Sequence, residues 1–276
     1  MNYGLYAPPQ HLRGLVRYFW HYESNSSDDM PTEHQAMADC CPELIFQYNG
    51  GFLEHNNYMS YLRAPRSGSQ VLHLGEQMGL FGVRFYPHAL RHLLGIPNSE
   101  LVNGTYEFTH IFGNEYNFVN EQMFEAPTVD DKIKVAGNFL RNLWQASSKD
   151  PIYECIRLML QYEGNVDLDE LRALTGLSVK QFERRFKAVA GFPPKFYSRI
   201  MRFQGTKRKY ASGKFRTLSE LSHACDYYDQ SHFIREFKEF SGMQANHFFK
   251  IVGDGNSEES KVLRNLILAK DTPERV

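Results

Sequence analysis

Long hydrophobic runs are absent from this 276-residue sequence, in which no stretch of 18 or more apolar residues occurs. A membrane-spanning helix needs about 20 such residues in succession, so we expect no membrane contact. The polar start, MNYGLYAPPQHLRG, also lacks the charged and apolar regions of a secretory signal peptide. These two absences predict a soluble, cytoplasmic protein.

Cysteine is scarce, and no two of the four cysteines form a Cys-x-x-Cys pair. The neighbours Cys40 and Cys41 are a poor start for a disulfide framework, so reduced thiols are expected. A redox switch at this pair would need an acidic, exposed thiol. Buried small thiols are the favoured interpretation.

Catalytic motifs are also missing: the sequence has no Gly-x-Ser-x-Gly, no phosphate-binding loop and no convincing pair of carboxylates. His88 and His92 stand one helical turn apart and could ligate a metal from one face. They lack the glutamate of a His-Glu-x-x-His motif and an evident third ligand. We therefore predict no catalytic residues, no metal and no cofactor.

Basic charge is unevenly distributed along the chain. Residues 1–150 hold 10 basic and 16 acidic residues, whereas residues 151–276 hold 21 and 16. The segment 177–216 alone has 12 lysines and arginines against one acid, Glu183. Such a segment favours a polyanionic partner, although a solvated helical face would carry similar charge.

The first 125 residues have the pattern of short strands. LVRYFWHY (15–22), ELIFQY (43–48) and GLFGVRFY (79–86) are aromatic, β-branched and partly alternating, and turn-rich pieces separate them. This spacing predicts a small barrel or sandwich.

Helical periodicity follows in 130–145 and 152–162, with the turn-rich SSKDP between them. We therefore divide the chain into a β-rich N-terminal domain with a helical end at 1–147, a helical domain at 148–252 and a polar tail at 253–276.

An internal repeat carries the strongest signal. FERRFKAVAG (182–191) matches FIREFKEFSG (233–242) at an offset of 51 residues. Each copy places phenylalanines at i and i+4 on one helical face and basic groups on the others. The repeat predicts two amphipathic helices, each with a wet, positive side.

A shorter helix precedes each copy, at 167–176 and 217–226, and the offset there is 50 residues. Ser178 with Gln181 has the pattern of a capping box, and Asp229 can cap the second copy. The second turn is predicted to be one residue longer than the first. Helix, tight turn and capped basic helix occur twice, as in a DNA-binding helix-turn-helix.

A third helical run at 195–210 lies between the two units and begins after two prolines. Its 16 residues span about 24 Å. Allowing for packing at its ends, this run can hold two recognition helices near the ~34 Å separation of successive major grooves. One chain could then read two adjacent grooves.

The segments TGLSVKQFERRFKAVAGFPPKFYSRIMRFQ and YYDQSHFIREFKEFSGM resemble the DNA-binding domain of the AraC/XylS family of transcription regulators over about 165–251. Two departures are Asp226, where the family usually has glycine, and Ala245, where it usually has proline. CCPELIFQYN and GVRFYPHALRHLLGIPNSELVN resemble a cupin-like N-terminal domain found ahead of some members. The resemblance implies an α+β chain, with a mainly-β domain before an all-α double helix-turn-helix domain.

The family pattern and the periodicity give similar sets of DNA-facing residues. The base-reading candidates are Lys180, Glu183, Arg184, Lys187, Gln230, Ser231, His232 and Arg235. Arginine can donate two hydrogen bonds to guanine, and glutamine can pair with adenine. The phosphate-contacting candidates are Lys195, Arg199, Lys207, Arg208 and Lys209.

The implied partner is double-stranded DNA, with RNA polymerase, a small-molecule effector and a second copy of the chain as further partners. The helices at 130–162 are the expected self-association surface. No effector pocket is assigned. Six N-terminal aromatic residues could line one, but core packing is the simpler interpretation; these are Tyr18, Trp20, Phe46, Tyr48, Phe81 and Phe85.

Two alternatives remain open. A cupin-like metal-dependent enzyme fused to a DNA-binding module needs three metal ligands that converge in the β domain. A regulator that acts by binding another protein would keep the fold but lose salt-dependent DNA affinity. The basic excess in 177–216 argues against this second alternative.

Overall fold

The computed structural model describes residues 2–24, 33–52, 60–143, 150–211, 215 and 217–254. Within these ranges, a sheet-rich N-terminal part precedes a helical C-terminal part. The predicted α+β class, with a mainly-β domain followed by an all-α one, is therefore confirmed.

The described strands form one antiparallel sheet in the order β1-β2-β6-β4-β5-β7, and β3 pairs with the start of β6. Their bounds are β1 (Asn2–Tyr6), β2 (Val16–Ser24), β3 (Glu33–Ala36), β4 (Glu43–Phe52), β5 (Ser60–Arg63), β6 (Gln70–Phe85) and β7 (Thr105–Glu107). Strand β6 is 16 residues long and pairs with β2, β3 and β4. The three strands predicted from sequence correspond to parts of β2, β4 and β6, except that Leu15 and Tyr86 lie just outside β2 and β6.

Helices follow the long strand β6 in the N-terminal part and make up the described C-terminal part. Their bounds are α1 (Ala89–Leu94), α2 (Phe108–Phe112), α3 (Asn117–Glu125), α4 (Val129–Leu143), α5 (Pro151–Gln161), α6 (Leu168–Thr175), α7 (Val179–Ala190), α8 (Pro194–Ala211), α9 (Leu218–Ala224), α10 (Gln230–Ser241) and α11 (Ala245–Asp254). Helix α11 runs two residues past the predicted domain end at 252. The weak helix expected in KVLRNLILAK lies outside the described residues.

The side chains of the sheet divide between two cores because they alternate along each strand. Phe46, Phe81 and Phe85 pack on one face with residues of α2 and α4, and Phe46 lies 6.1 Å from Phe108 between ring centres. Tyr18 and Trp20 pack on the opposite face. The six predicted aromatics therefore do not line a single pocket, and the core interpretation describes them better.

All four cysteines are buried. Burial raises the pKa of the Cys40 and Cys225 thiols, and it raises the pKa of Cys155 to about 11. A raised pKa disfavours the reactive thiolate. The cysteines thus match the buried-thiol interpretation.

The core of the helical part joins both repeats through α8. Phe186 of the first repeat packs edge-on against Tyr197 of α8, with ring centres 5.4 Å apart. Phe203, further along α8, lies 5.3 Å from Phe237 of the second repeat. Helix α8 therefore fixes the two repeats to a common support.

Candidate nucleic-acid interface

The first helix-turn-helix unit consists of α6, a three-residue turn and α7. Asp167 caps α6 by accepting a hydrogen bond from the Asp169 amide at 2.7 Å. Gly176 starts the turn with φ of 66°, a left-handed conformation that suits glycine. Ser178 and Gln181 form the predicted capping box at the start of α7.

The second unit consists of α9, a five-residue turn and α10. Asp229 caps α10 as predicted, accepting from the His232 amide at 2.7 Å. Asp226 takes the left-handed conformation, with φ of 56°, and Asn165 donates to its carboxylate at 2.7 Å. The turn is two residues longer than the first because, beyond the inserted residue, α9 also ends one residue earlier.

The predicted base-reading residues lie on the outer faces of α7 and α10. Phe182, Phe186, Phe233 and Phe237 occupy the inner faces and are buried. Seven of the eight candidates are exposed, and His232 is half-buried with its ring against Tyr227. Within the described ranges, no acidic group lies at ion-pair distance from Lys180, Arg184, Lys187 or Arg235. These four side chains are exposed and face outward.

Comparison with known proteins decides what these units are. Residues 171–251 match a family described as a helix-turn-helix domain, and residues 5–107 match a family described as a domain of unknown function. The C-terminal part is an AraC-type helix-turn-helix domain. The protein is therefore a DNA-binding transcription regulator.

Solved structures similar to this regulator include ToxT from Vibrio cholerae. A lysine-to-alanine variant of apo ToxT is 13% identical over 84% of this chain and 97% of its own, with a TM-score of 0.44. ToxT bound to (E)-4-(8-methylnaphthalen-1-yl)but-3-enoic acid is 10% identical over 91% and 99%, with a TM-score of 0.45. No curated protein matches the chain significantly.

Most predicted phosphate contacts of the AraC-type domain already have internal partners. Arg199 donates to Glu236 at 2.7 Å and to Glu239 at 2.5 Å. Arg208 and Lys209 both pair with Glu163, at 2.9 Å and 3.6 Å. Lys195 is exposed at the start of α8, so it is the candidate best placed to contact a phosphate.

The prediction that Lys207 lies on the outside of the third helix is wrong. Lys207 is only 4% exposed, and its Nζ lies 5.1 Å from the centre of the Phe203 ring. The physical reason is that α8 is covered by both units, so Gln204, Gly205 and Thr206 beside it are buried as well. Periodicity alone predicts one solvent-exposed face along the whole helix.

Glu236 is a residue of the regulator that sequence reasoning missed. It is 1% exposed, and it accepts from Arg199 and from Arg202, the latter at 3.0 Å. Burial lowers the pKa of Arg202, but the Glu236 carboxylate and Tyr227 together raise it, and the net shift is upward. The repeat held a signal, because the equivalent residue of the first copy is Arg185, which pairs instead with Asp150 at 3.1 Å.

Among the helices of the described residues, none combines the length and the apolar composition that a membrane span requires. In the same part of the chain, no three histidine, cysteine or acidic side chains lie together as metal ligands. His88 and His92 pack around Tyr153 of α5, with ring centres 4.9 Å and 4.8 Å away.

Proposed function

We propose that this regulator reads two adjacent major grooves of duplex DNA, one with the helix near 178–190 and the other with the helix near 229–241. The observation that carries the proposal is that the repeat-related outer faces of α7 and α10 are both exposed and basic, while α8 connects them. Helix α8 has 18 residues, which span about 27 Å. That length is compatible with the ~34 Å between successive major grooves.

The base-reading roles follow from side-chain chemistry. Arg184 and Arg235 are equivalent in the repeat, and each can donate two hydrogen bonds to guanine. Gln230 can pair with adenine, and Lys180, Lys187 and Ser231 extend the same surfaces. Glu183 can accept a hydrogen bond from the amino group of cytosine. His232 is the remaining base-reading candidate on the second helix.

The backbone-contacting roles are narrower than the basic composition suggests. Lys195 is exposed, and we assign it to a phosphate. Tyr228, which the sequence did not single out, is 90% exposed immediately before the cap of α10 and can donate its hydroxyl to a neighbouring phosphate. Arg199, Arg208 and Lys209 mainly stabilise the fold. To contact DNA, each would have to divide its hydrogen bonds between a phosphate and its present carboxylate partner.

The remaining parts of the proposal concern regulation. We assign residues 1–147 to a domain that senses an effector, dimerises, or both, and residues 148–252 to DNA binding. Dimerisation would use the helices within 130–162. Action in the cytoplasm, recruitment of RNA polymerase and an effector of unassigned chemistry complete this description.

The test is selection of binding sequences from random duplex DNA by the purified full-length protein, followed by binding titrations across a salt series. We expect a motif of two half-sites about one helical turn, or ~10 base pairs, apart. Arg184→Ala should relax one half-site and Arg235→Ala the other, each by about 1–3 kcal/mol of discrimination. Arg157→Ala, an exposed arginine paired with Glu154 on α5, is the matched control. Selection of no sequence at low salt would contradict the proposal.

A further inference from the structure

The N-terminal domain binds the two recognition helices at the same position of the repeat. The Asn98 side-chain amide donates to the Val189 carbonyl of α7 at 2.7 Å. The Ala38 backbone amide donates to the Phe240 carbonyl of α10 at 2.9 Å. Val189 and Phe240 are 51 residues apart, which is the offset of the repeat. Both carbonyls belong to the last turn of their helix, where intrahelical partners are lacking.

The glycines that follow these two helices approach the same domain closely. A Cβ added to Gly191 would lie 2.8 Å from Val102, and one added to Gly242 would collide with Ser69. Both glycines also have positive φ, 89° and 75°. Each helix end therefore lies directly against the N-terminal domain.

Asn98 is built into this contact. It is fully buried, and its side-chain nitrogen donates to the Pro87 carbonyl as well as to Val189. Because both neighbours are carbonyl oxygens, the orientation of the amide is fixed by its chemistry. Asn98 thus joins the chain before α1 to the end of α7.

The contact at the second helix extends to α8. The Ala38 carbonyl accepts a hydrogen bond from the Gln204 side chain at 2.5 Å, while the Ala38 amide binds Phe240. Ala38 and Cys40 are buried in the same core as the residues of both repeats. The segment around Ala38 is therefore a fixed point for α8 and α10 together.

We infer that the N-terminal domain sets the spacing between the two recognition helices, with Asn98 as the positioning residue for α7 and the Ala38 segment as that for α10. The inference rests on the proposed function, because it concerns how two half-sites are read. Adding one base pair between half-sites moves one of them by about 3.4 Å and rotates it by about 35°. Helices held in one frame tolerate such a change poorly, whereas a loosened helix can follow its half-site.

The experiment measures affinity by fluorescence anisotropy for four duplexes: the selected duplex, versions with one base pair inserted or deleted between half-sites, and one with a single half-site. The proteins are full-length wild type, Asn98→Ala, Gln204→Met and Asn114→Ala. Asn114 is an exposed asparagine of the same domain and serves as the control. A melting curve establishes that each variant is folded, and one folded variant of the two is enough because they act on different helices.

We expect wild type and Asn114→Ala to lose about tenfold or more in affinity when the spacing changes. Asn98→Ala and Gln204→Met should lose about threefold or less, while their affinity for the single half-site stays within about twofold of wild type. Equal spacing losses in wild type and a folded variant would overturn the inference and leave the proposed function intact. Failure of wild type to select any duplex would instead remove the proposed function.

Discussion

The two helix-turn-helix units share a fold but differ in how their charges are used. In the first unit, Arg184 and Lys187 extend from α7 without an acidic partner in the described part of the chain. In the second unit, the buried Glu236 of α10 connects the recognition helix to Arg199 and Arg202 of α8. Both units therefore contain the same kind of capped helix. The basic side chains of α7 remain available to a partner, whereas Glu236 of α10 stabilises the packing of that helix against α8.

The largest expected effect comes from removing the Glu236 carboxylate. Glu236→Ala leaves Arg199 and Arg202 without their shared carboxylate and should lower the free energy of unfolding by about 3 kcal/mol. Chemical denaturation measures this change. Glu239→Ala removes an exposed partner of Arg199 and should cost under about 1 kcal/mol. Equal effects of the two substitutions would mean that burial of Glu236 adds nothing.

Base discrimination should separate the two units. Arg184→Ala and Arg235→Ala are each expected to lose about 1–3 kcal/mol of discrimination, at different half-sites. Because the two helices read separate sites, the losses in a double variant should add to within about 0.5 kcal/mol. Competition binding with duplexes that carry a base change in one half-site measures the single losses and their additivity. A loss seen only for the Arg184 variant would show that the second unit does not read bases.

The salt dependence of binding should sharpen the contrast between free and paired cations. Lys195→Ala removes a phosphate contact and should reduce the slope of log K against log salt by about 0.9. Arg208→Ala should leave that slope nearly unchanged, because Arg208 is paired with Glu163. Binding titrations at several salt concentrations test these two variants. A reduced slope for Arg208→Ala would mean that Arg208 contacts a phosphate.

The turns should give the smallest effects. Gly176 and Asp226 hold corresponding left-handed positions of the two units. Alanine at either position should lower the free energy of unfolding by about 1 kcal/mol. Asp226→Gly should be nearly neutral, because it relieves backbone strain but removes the hydrogen bond from Asn165. Thermal melting distinguishes these outcomes, and a strongly destabilised Asp226→Gly would mean that the hydrogen bond to Asn165 outweighs the strain.

Local features of the fold could be predicted from the sequence, and contacts between distant segments could not. Ser178, Gln181 and Asp229 act within one helical turn, so their pattern was sufficient to predict the caps. Periodicity does not predict the burial of Lys207, because that burial depends on two units packing around α8.

The same limit applies to the functional surface. The outer faces of the repeats could be predicted because they alternate with buried phenylalanines. Glu236 could not, since its partners on α8 are 34 and 37 residues away. The order of the strands and the contacts of Ala38 and Asn98 with the recognition helices likewise depend on long-range packing.

The paired capping of Val189 and Phe240 has a consequence for genetics. A screen for variants that use a new promoter architecture should recover substitutions around residues 38 and 98 as well as on α7 and α10. The substitutions around residues 38 and 98 would touch no base pair, and they would keep the preferred half-site sequence while accepting a different distance between its two copies.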